Sequence, residues 1–531
     1  MIKTVIIGVD AATWRMITPL IERGELLNIR ELMNKGSYGA LRSTIPPTTP
    51  LAWTSIATGV NPGKHGIYDF VAQDRRTYRV TPIDYSYLTR PAIWDIFNAY
   101  GQRVGVVNFP MAFPPPKVES FFISGLAPEY EDYAYPPQLN QYLRSQRYRI
   151  YPRFGPRGGA KQYFNEVRSL MNSQCDVTVD LMKHWNWEIF IVVFQGLDWV
   201  QHYFWNIDVD GKNAVETFYC YIDDAIGRLL LEAHDDWNIF ILSDHGFREI
   251  KAEIHLNNLL EKWGYLKRTK ASDKLAQKIR GYVVRTGWKL RAKMPLLLKQ
   301  WVERHIPEEV RSNLRMLQKE QLRLHQMIDW DQTRAFSFGY MGRIYIHTKG
   351  KYPQGTVGTD EYEKLREEII AQLRSLRDPE TGDPVVGEVF RKEEIYIGDQ
   401  LENAPDIIFT PSDFAYAVYG DFGDAWFCHL RDRVADHDME GILIMKGKDI
   451  SRGVNLNAEV VDIAPTLLYL HGLPVLEDMD GRVLQEAFTK ELTKKREVKT
   501  IKEVPIRSSE ERLGEKAQEE IEKRLRELGY L

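Results

Sequence analysis

The feature that most constrains how this chain can fold is a set of six short apolar runs without polar–apolar alternation. They are "TVIIGVD", "RVGVVNFP", "EIFIVVFQG", "WNIFILSDHG", "APDIIFT" and "GILIMKG", each bounded by Gly, Pro or Asp. A strand with one face in water alternates, whereas a strand covered on both faces does not, so the runs predict strands sandwiched between helices. Helical patterns such as "PAIWDIFNAYG" and "DEYEKLREEIIAQLRSL" lie between them. The fold expected is α/β, with a large, mostly parallel central sheet flanked by helices. In such sheets ligands gather beyond the C-terminal ends of the strands, which here are closed by Asp10, Gln195 and Asp244.

A chain of 531 residues, 44% hydrophobic, has ample material for a large core. Its formal net charge of -4 gives no global reason to bind a nucleic-acid polymer, and none is expected as a partner. Cys175, Cys220 and Cys428 are far apart with no C-x-x-C spacing, which argues against a disulfide framework and a cysteine-built zinc site. The opening "MIKTVIIGVD" carries an apolar stretch of about five residues, too short for a secretory signal core or a membrane span. A cytoplasmic protein is the expectation.

The strand–helix pattern divides the chain into a first core part (1–264), a basic helical insertion (265–325), a second core part (326–488) and a charged linker with a C-terminal helix (489–531). In the insertion Lys289, Arg291, Lys293 and Lys299 stand among Trp288, Leu296, Leu297, Leu298 and Trp301. It reads as a solvated insertion, a cap over the site or a membrane-surface contact. "YPRFGPRGGAKQYF" reads as a basic, Gly-rich loop, either a connection or a substrate lid. At the C-terminus Ala517, Ile521, Leu525 and Leu528 form one helical stripe, suited to docking on the body or to a homodimer contact.

Candidate metal ligands cluster at the ends of the apolar runs. "QGLDWVQHYFW" sets Asp198 and His202 four residues apart, which on a helix places carboxylate and imidazole on one face. "FILSDHGF" ends a strand with adjacent Asp244 and His245, and Gly246 permits the turn that would aim both at one point. Asp10 closes the first strand, where a helix cap is its plainer role. His437 in "ADHDMEGILIMKG" precedes another buried strand. Hard-oxygen and imidazole ligands without thiolates suit two divalent ions about 4 Å apart, zinc first and manganese second. Asn108, at the end of "VVNF", is a further candidate for lining a substrate pocket, and His65 reads as support for a turn.

In "RSTIPPTTPLAWTSIATGVNPGKHG", Thr49 reads as an N-cap, Pro50 as the first helical residue and Gly59 as the terminator. That role leaves chemistry open. A hydroxyl at a helix N-terminus sits in positive potential, and coordination to a divalent ion lowers its pKa enough for attack.

The segments "GVDAATW", "TTPLAWTSIATGVNPGKHGIYDF", "GLDWVQHYFW", "LSDHGF", "ADHDMEGILI" and "VDIAPTLLYLHGLPVLEDMDGRVL" together resemble the alkaline phosphatase superfamily, in its type I phosphodiesterase/nucleotide pyrophosphatase branch. The resemblance implies an alkaline phosphatase-like fold and a two-metal hydrolase of phosphodiester or pyrophosphate bonds. Asp198, His202 and His437 would hold one ion. Asp10, Thr49, Asp244 and His245 would surround the other, with Thr49 as nucleophile. Thr49 is preferred to Thr48 because the family's nucleophile stands ten residues before the Gly of its "TG", here Thr58-Gly59.

One departure is that Ala52 stands where nucleotide pyrophosphatases carry an asparagine that contacts a phosphoryl oxygen, which puts nucleotide preference in question. The sulfatase pattern, with an arginine after C/S-x-P, and the "N-S-E-x-G-H" serine setting of phosphoglycerate mutases are absent. Two divalent cations against three aspartates and one alkoxide leave a nearly neutral site, suited to a monoanionic diester of a small-molecule phosphate substrate. The alternatives are a phosphomonoesterase, phosphonate hydrolase or phosphotransferase on the same core, or a binding protein that retains the fold.

Overall fold

Eleven strands carry the description that follows. They are β1 (Thr4–Val9), β2 (Ser37–Arg42), β3 (Val104–Phe109), β4 (Phe121–Ser124), β5 (Ala134–Tyr135), β6 (Ile189–Phe194), β7 (Asn238–Leu242), β8 (Gly246–Glu249), β9 (Ala435–Asp438), β10 (Glu440–Lys446) and β11 (Asn455–Glu459). The structure, a computed structural model, describes residues 2–156, 159–269, 324–504, 514–528 and 530.

Nine of these strands form one sheet in the order β11-β2-β10-β7-β1-β6-β3-β4-β5. β1 lies at its middle, parallel to both β6 and β7. β3 continues parallel to β6 and to β4, and β2 is parallel to β11. Only β10 and β5 run against their neighbours. The sheet is therefore mostly parallel, as the unalternating runs predict.

The same runs explain why both faces are buried. Val5, Ile7 and Val9 of β1 enter one core cluster with Phe190, Val192, Phe194, Ile239 and Ile241. Ile6 enters a second cluster, with Ile191, Val193, Phe240 and Leu242. Successive side chains point to opposite faces, so a strand with helices on both sides requires an apolar residue at every position.

One run behaves differently. "APDIIFT" supplies Ile407–Pro411, which pairs with Arg343–Ile346 and Val386–Arg391 in a separate four-stranded antiparallel sheet. That sheet has its own core, including Phe336, Ile344, Ile369, Leu373 and Phe409. An apolar run records burial on two faces but not which sheet provides the neighbours.

Most of the basic insertion, residues 270–323, and the loop residues Arg157 and Gly158 lie outside the described residues. At the insertion's edge Tyr265 and Leu266 are buried in the core of the smaller sheet, so 265–269 pack with the body. The stretch Ala160–His184 is one long helix, so the Gly-rich connection is shorter than the sequence pattern suggests. The C-terminal stripe docks on the body: Ala517, Ile521, Leu525 and Leu528 join the first core cluster. No helix among the described residues is long and apolar enough to cross a membrane.

His65 does support a turn. The Ile67 N–H donates to its Nδ1 at 3.1 Å, so the ring proton sits on Nε2 and faces Ser55 Oγ at 3.1 Å. Burial pushes its pKa from 6.5 down to about 3. The unfolded chain therefore binds a proton that the folded chain refuses. This contribution to stability is complete above pH 6.5 and is lost as the pH falls toward 3. Denaturant unfolding at pH 7 and pH 5 should show the wild type losing about 2 kcal/mol more than His65→Gln over that interval. Equal losses would contradict this reading.

Candidate active site

The seven sequence-singled residues converge beyond the C-terminal end of β1. Asp10 follows β1 and Asp244 follows its neighbour β7, two residues beyond the strand. Asp198 and His202 lie on the helix Gly196–Phe204 that follows β6, on the other side of β1. His437 arrives from far along the chain because β9 pairs antiparallel with β8, setting it opposite Phe247. Its ring stacks on that of His245 with centroids 3.8 Å apart. Gly246 allows the ribbon to turn this close to the sheet, since a Cβ there would meet the Glu440 carbonyl oxygen at 2.1 Å.

Thr49 opens the helix Thr49–Thr58, whose ten residues are all buried. The cap register differs by one from the sequence reading. Thr48 is the extended N-cap residue and makes no side-chain cap bond, while Thr49 is already helical. Its hydroxyl is therefore free of capping, and Oγ1 lies 3.4 Å from His245 Nε2. The helix ends at left-handed Gly59, as expected.

Three backbone carbonyls fix the histidines. Nδ1 of His202 faces Ala435 O at 3.0 Å, Nδ1 of His245 faces Gly246 O at 3.0 Å and Nδ1 of His437 faces Pro47 O at 2.9 Å. A carbonyl only accepts, so Nδ1 of His245 and of His437 carries the proton and their Nε2 atoms present lone pairs, whereas at His202 the Arg433 Nε–H also approaches Nδ1, at 3.1 Å. All three Nε2 atoms point at one another and at carboxylates. The Nε2 atoms of His202 and His437 are 3.3 Å apart, and each is 3.3 Å from Asp198 Oδ1. A second group surrounds His245 Nε2, with Asp244 Oδ2 at 3.2 Å and Asp10 Oδ1 at 3.7 Å.

Asp10 Oδ1, Asp198 Oδ1 and Asp244 Oδ2 have no hydrogen-bond partner although fully buried. Acceptors packed against acceptors away from water are strongly unfavourable unless a cation lies between them. The first group also has suitable dimensions. A tetrahedral ion with bonds of about 2.0–2.1 Å places its ligand atoms about 3.3–3.4 Å apart. The residues present thus fit a divalent cation at Asp198, His202 and His437, and a second at Asp10, Thr49, Asp244 and His245.

Electrostatics agree. Burial, then the charges of Asp244 and Asp198, hold the Asp10 carboxyl well above its ordinary range. Burial pushes Asp244 up to about 7. Burial acts on Asp198 in the same direction, but His202 and His437 overcome it and hold that carboxyl low. Burial, then the neighbouring His437, lowers the basicity of His245.

Supporting contacts lock these positions. Trp53 Nε1 donates to Asp10 Oδ2 at 3.2 Å, and its ring lies so close over β1 that a Cβ on Gly8 would meet it at 2.3 Å. The Gln201 amide donates to Ala11 O at 2.9 Å, and Tyr219 links Gln201 Oε1 to the Thr13 N–H. Ala11 has a φ of 66°, strained for alanine, and its N–H donates to Asp244 Oδ1 at 3.3 Å.

Asp436, Tyr340, Arg433 and Arg343 are among the neighbours that escaped the sequence reading. Asp436 lies near His202 and His437, and its carboxylate accepts from Tyr340 while pairing with Arg433 at 3.5 Å. The Arg433 guanidinium touches both nitrogens of the His202 ring. Arg343, which is buried, lies 3.4 Å from Thr48 Oγ1 and pairs with buried Asp69. Asp436 adjoins His437 in "ADHD" and offered a sequence signal, whereas the other three depend on tertiary approach alone. Asn108 is buried at the end of β3, where its Oδ1 accepts from buried Tyr148 at 2.6 Å.

The sequence of residues 4–441 matches the model of the "Type I phosphodiesterase / nucleotide pyrophosphatase" family. The chain belongs to this family. It is accordingly a phosphoric ester hydrolase. No curated protein matches the chain. Among solved structures, phosphonoacetate hydrolase from Sinorhizobium meliloti 1021 in complex with phosphonoformate is similar, with 14% identity, a TM-score of 0.56, and coverage of 87% of this chain and 94% of that one. Murine ectonucleotide pyrophosphatase/phosphodiesterase 5 gives 10% identity and a TM-score of 0.51 over 92% of this chain and all of its own. An inactive variant of that murine protein in complex with AMP gives 11% and 0.52, covering 92% of this chain and 100% of its own. These likenesses support the fold that the type I phosphodiesterase family implies.

A cation bound at Asp244 would have to expel the proton that this carboxyl holds below about pH 7. Competition with a chromophoric chelator should show Zn²⁺ bound about fivefold or more weakly at pH 6 than at pH 7. A flat profile would contradict the ligand role of Asp244.

Proposed function

We propose that the chain is a two-cation phosphodiesterase or pyrophosphatase acting on a small-molecule phosphate ester, with Thr49 as nucleophile. The observation that carries this reading is the convergence of three imidazoles and three unpartnered carboxylate oxygens beside Thr49 Oγ1. Zinc is preferred to manganese because the nitrogen and oxygen donors and the 3.3 Å spacing suit tetrahedral bonds of about 2.0–2.1 Å. When bound, the two ions would supply the positive charge that lowers the threonine pKa and offsets charge on the phosphoryl and leaving oxygens.

The chain's own residues carry the rest. Thr49 Oγ1 gives its proton to solvent water and forms a bond to phosphorus in line with the bond to the leaving oxygen; that bond breaks, and the leaving oxygen takes a proton back from water. Water then cleaves the Oγ1–phosphorus bond, restoring the hydroxyl and releasing the phosphoryl product. The first turn of the Thr49 helix presents N–H groups without helical partners, which would hold a phosphoryl oxygen where Ala52 offers none.

Diester preference rests on charge. Arg343 and Arg433 bring positive charge that the sequence could not place, but each is matched by a buried carboxylate, Asp69 and Asp436. The near-neutral balance of two cations against three aspartates and an alkoxide is therefore kept, and it suits a monoanionic phosphoryl group.

Thr49→Ala should lower turnover of bis-p-nitrophenyl phosphate by about a thousandfold or more while metal stoichiometry, measured by elemental analysis, stays at the wild-type value. Surviving turnover would reject Thr49 as nucleophile. In the wild type, kcat/KM for bis-p-nitrophenyl phosphate should exceed that for p-nitrophenyl phosphate. The reverse order would select a phosphomonoesterase on the same core.

A further inference from the structure

We infer that Tyr530, delivered by the C-terminal helix, is a positioning residue of the metal centre that holds Asp198 to a single coordinating oxygen. The inference rests on the two-cation reading above.

Asp198 has two oxygens with different surroundings. Oδ1 faces the Nε2 atoms of His202 and His437, each at 3.3 Å, and has no hydrogen-bond partner. Oδ2 accepts a hydrogen bond from the Tyr530 hydroxyl. A carboxylate with both oxygens free can bind a cation through either or both. With Oδ2 engaged by a phenol, only Oδ1 remains directed at the cation position.

The tyrosine is held from several sides. The helix Glu515–Leu528 buries Ala517, Ile521, Leu525 and Leu528 against the body. Beyond its last turn the Tyr530 N–H donates to Leu525 O at 2.8 Å, and Tyr203 Oη donates to Leu528 O at 3.2 Å. Arg524 pairs with Glu129 at 3.3 Å and lies over the Tyr151 ring. The Tyr530 ring packs on Phe70, centroids 4.7 Å apart, and stands edge-on to His202 at 6.0 Å. Only 4% of Tyr530 is exposed.

A phenol so placed has no packing need for its oxygen, because phenylalanine would fill the same space. The hydroxyl's one hydrogen bond recorded here goes to a candidate ligand more than three hundred residues away. That arrangement orients a ligand in the way that second-sphere partners of metal sites do, and loss of such a partner typically weakens metal binding about 10–100-fold.

The test compares full-length wild type, Tyr530→Phe, Tyr530→Ala and Asp198→Asn, titrated with Zn²⁺ by calorimetry and with Co²⁺ by visible absorption. Tyr530→Phe should bind the weaker of the two Zn²⁺ ions about 10–100-fold less tightly than the wild type binds its weaker ion. Its Co²⁺ band should weaken as Asp198 turns bidentate and the coordination number rises. Tyr530→Ala should match Tyr530→Phe in Zn²⁺ affinity. If Tyr530→Phe keeps wild-type affinity and spectrum, and only Tyr530→Ala is impaired, the residue serves packing and the inference fails while the two-cation reading stands. If wild type and Asp198→Asn alike take up no metal, that reading falls and the inference with it.

Discussion

The structure is organised around mutual repulsion. Three aspartates and three imidazoles are packed within a few ångströms of one another, out of contact with water, with nothing donating to the inward-facing carboxylate oxygens. Without a cation such a cluster is strongly unfavourable in its charged form, and the Asp10 and Asp244 carboxyls answer by holding protons above their ordinary range. Much of the surrounding fold serves to hold it together. The parallel sheet brings three strand ends side by side, the β8–β9 ribbon carries His437 across, and backbone carbonyls fix the rings. Cations that neutralise the cluster would release this tension and activate the hydroxyl beside it.

Packing around the cluster is unusually apolar, and that too has a physical purpose. Trp53 presses its ring edge against β1 where only glycine leaves room, and the helix that begins at Thr49 is buried along its whole length. Low dielectric surroundings strengthen every charge interaction inside them, attractive or repulsive. Arg343 is paired with Asp69 and Arg433 with Asp436, so the guanidinium that reaches the His202 ring brings its own counter-charge and the two pairs add no net charge.

Much of this was legible in the sequence because it depends on local rules. Asp198 and His202 share a helical face at a spacing of four, and Asp244 with His245 closes a strand recognisable by its unbroken apolar run. The register at Thr48 and Thr49 was misread by one residue, since the preference of Pro50 for the first helical position competes with a backbone that is already helical at Thr49. "APDIIFT" has the composition of a central strand, yet pairs in the smaller sheet, because partner choice depends on the whole chain. Arg343, Arg433 and Tyr530 left no periodic signal. Each stands at the centre only because distant segments approach there, and the apolar stripe of the C-terminal helix indicated docking without indicating where its end would arrive.

The hydrogen bond from His437 Nδ1 to Pro47 O, at 2.9 Å, joins the two halves of the centre. In the proposed two-cation reading His437 belongs to one ligand set, whereas Pro47 lies two residues before Thr49 of the other. An imidazole drawn toward its ion pulls on the peptide that leads into Thr49, and slackens it on release. On that reading, occupancy at one position would be felt mechanically at the other, and the pair would act as a cooperative unit rather than as two independent cavities.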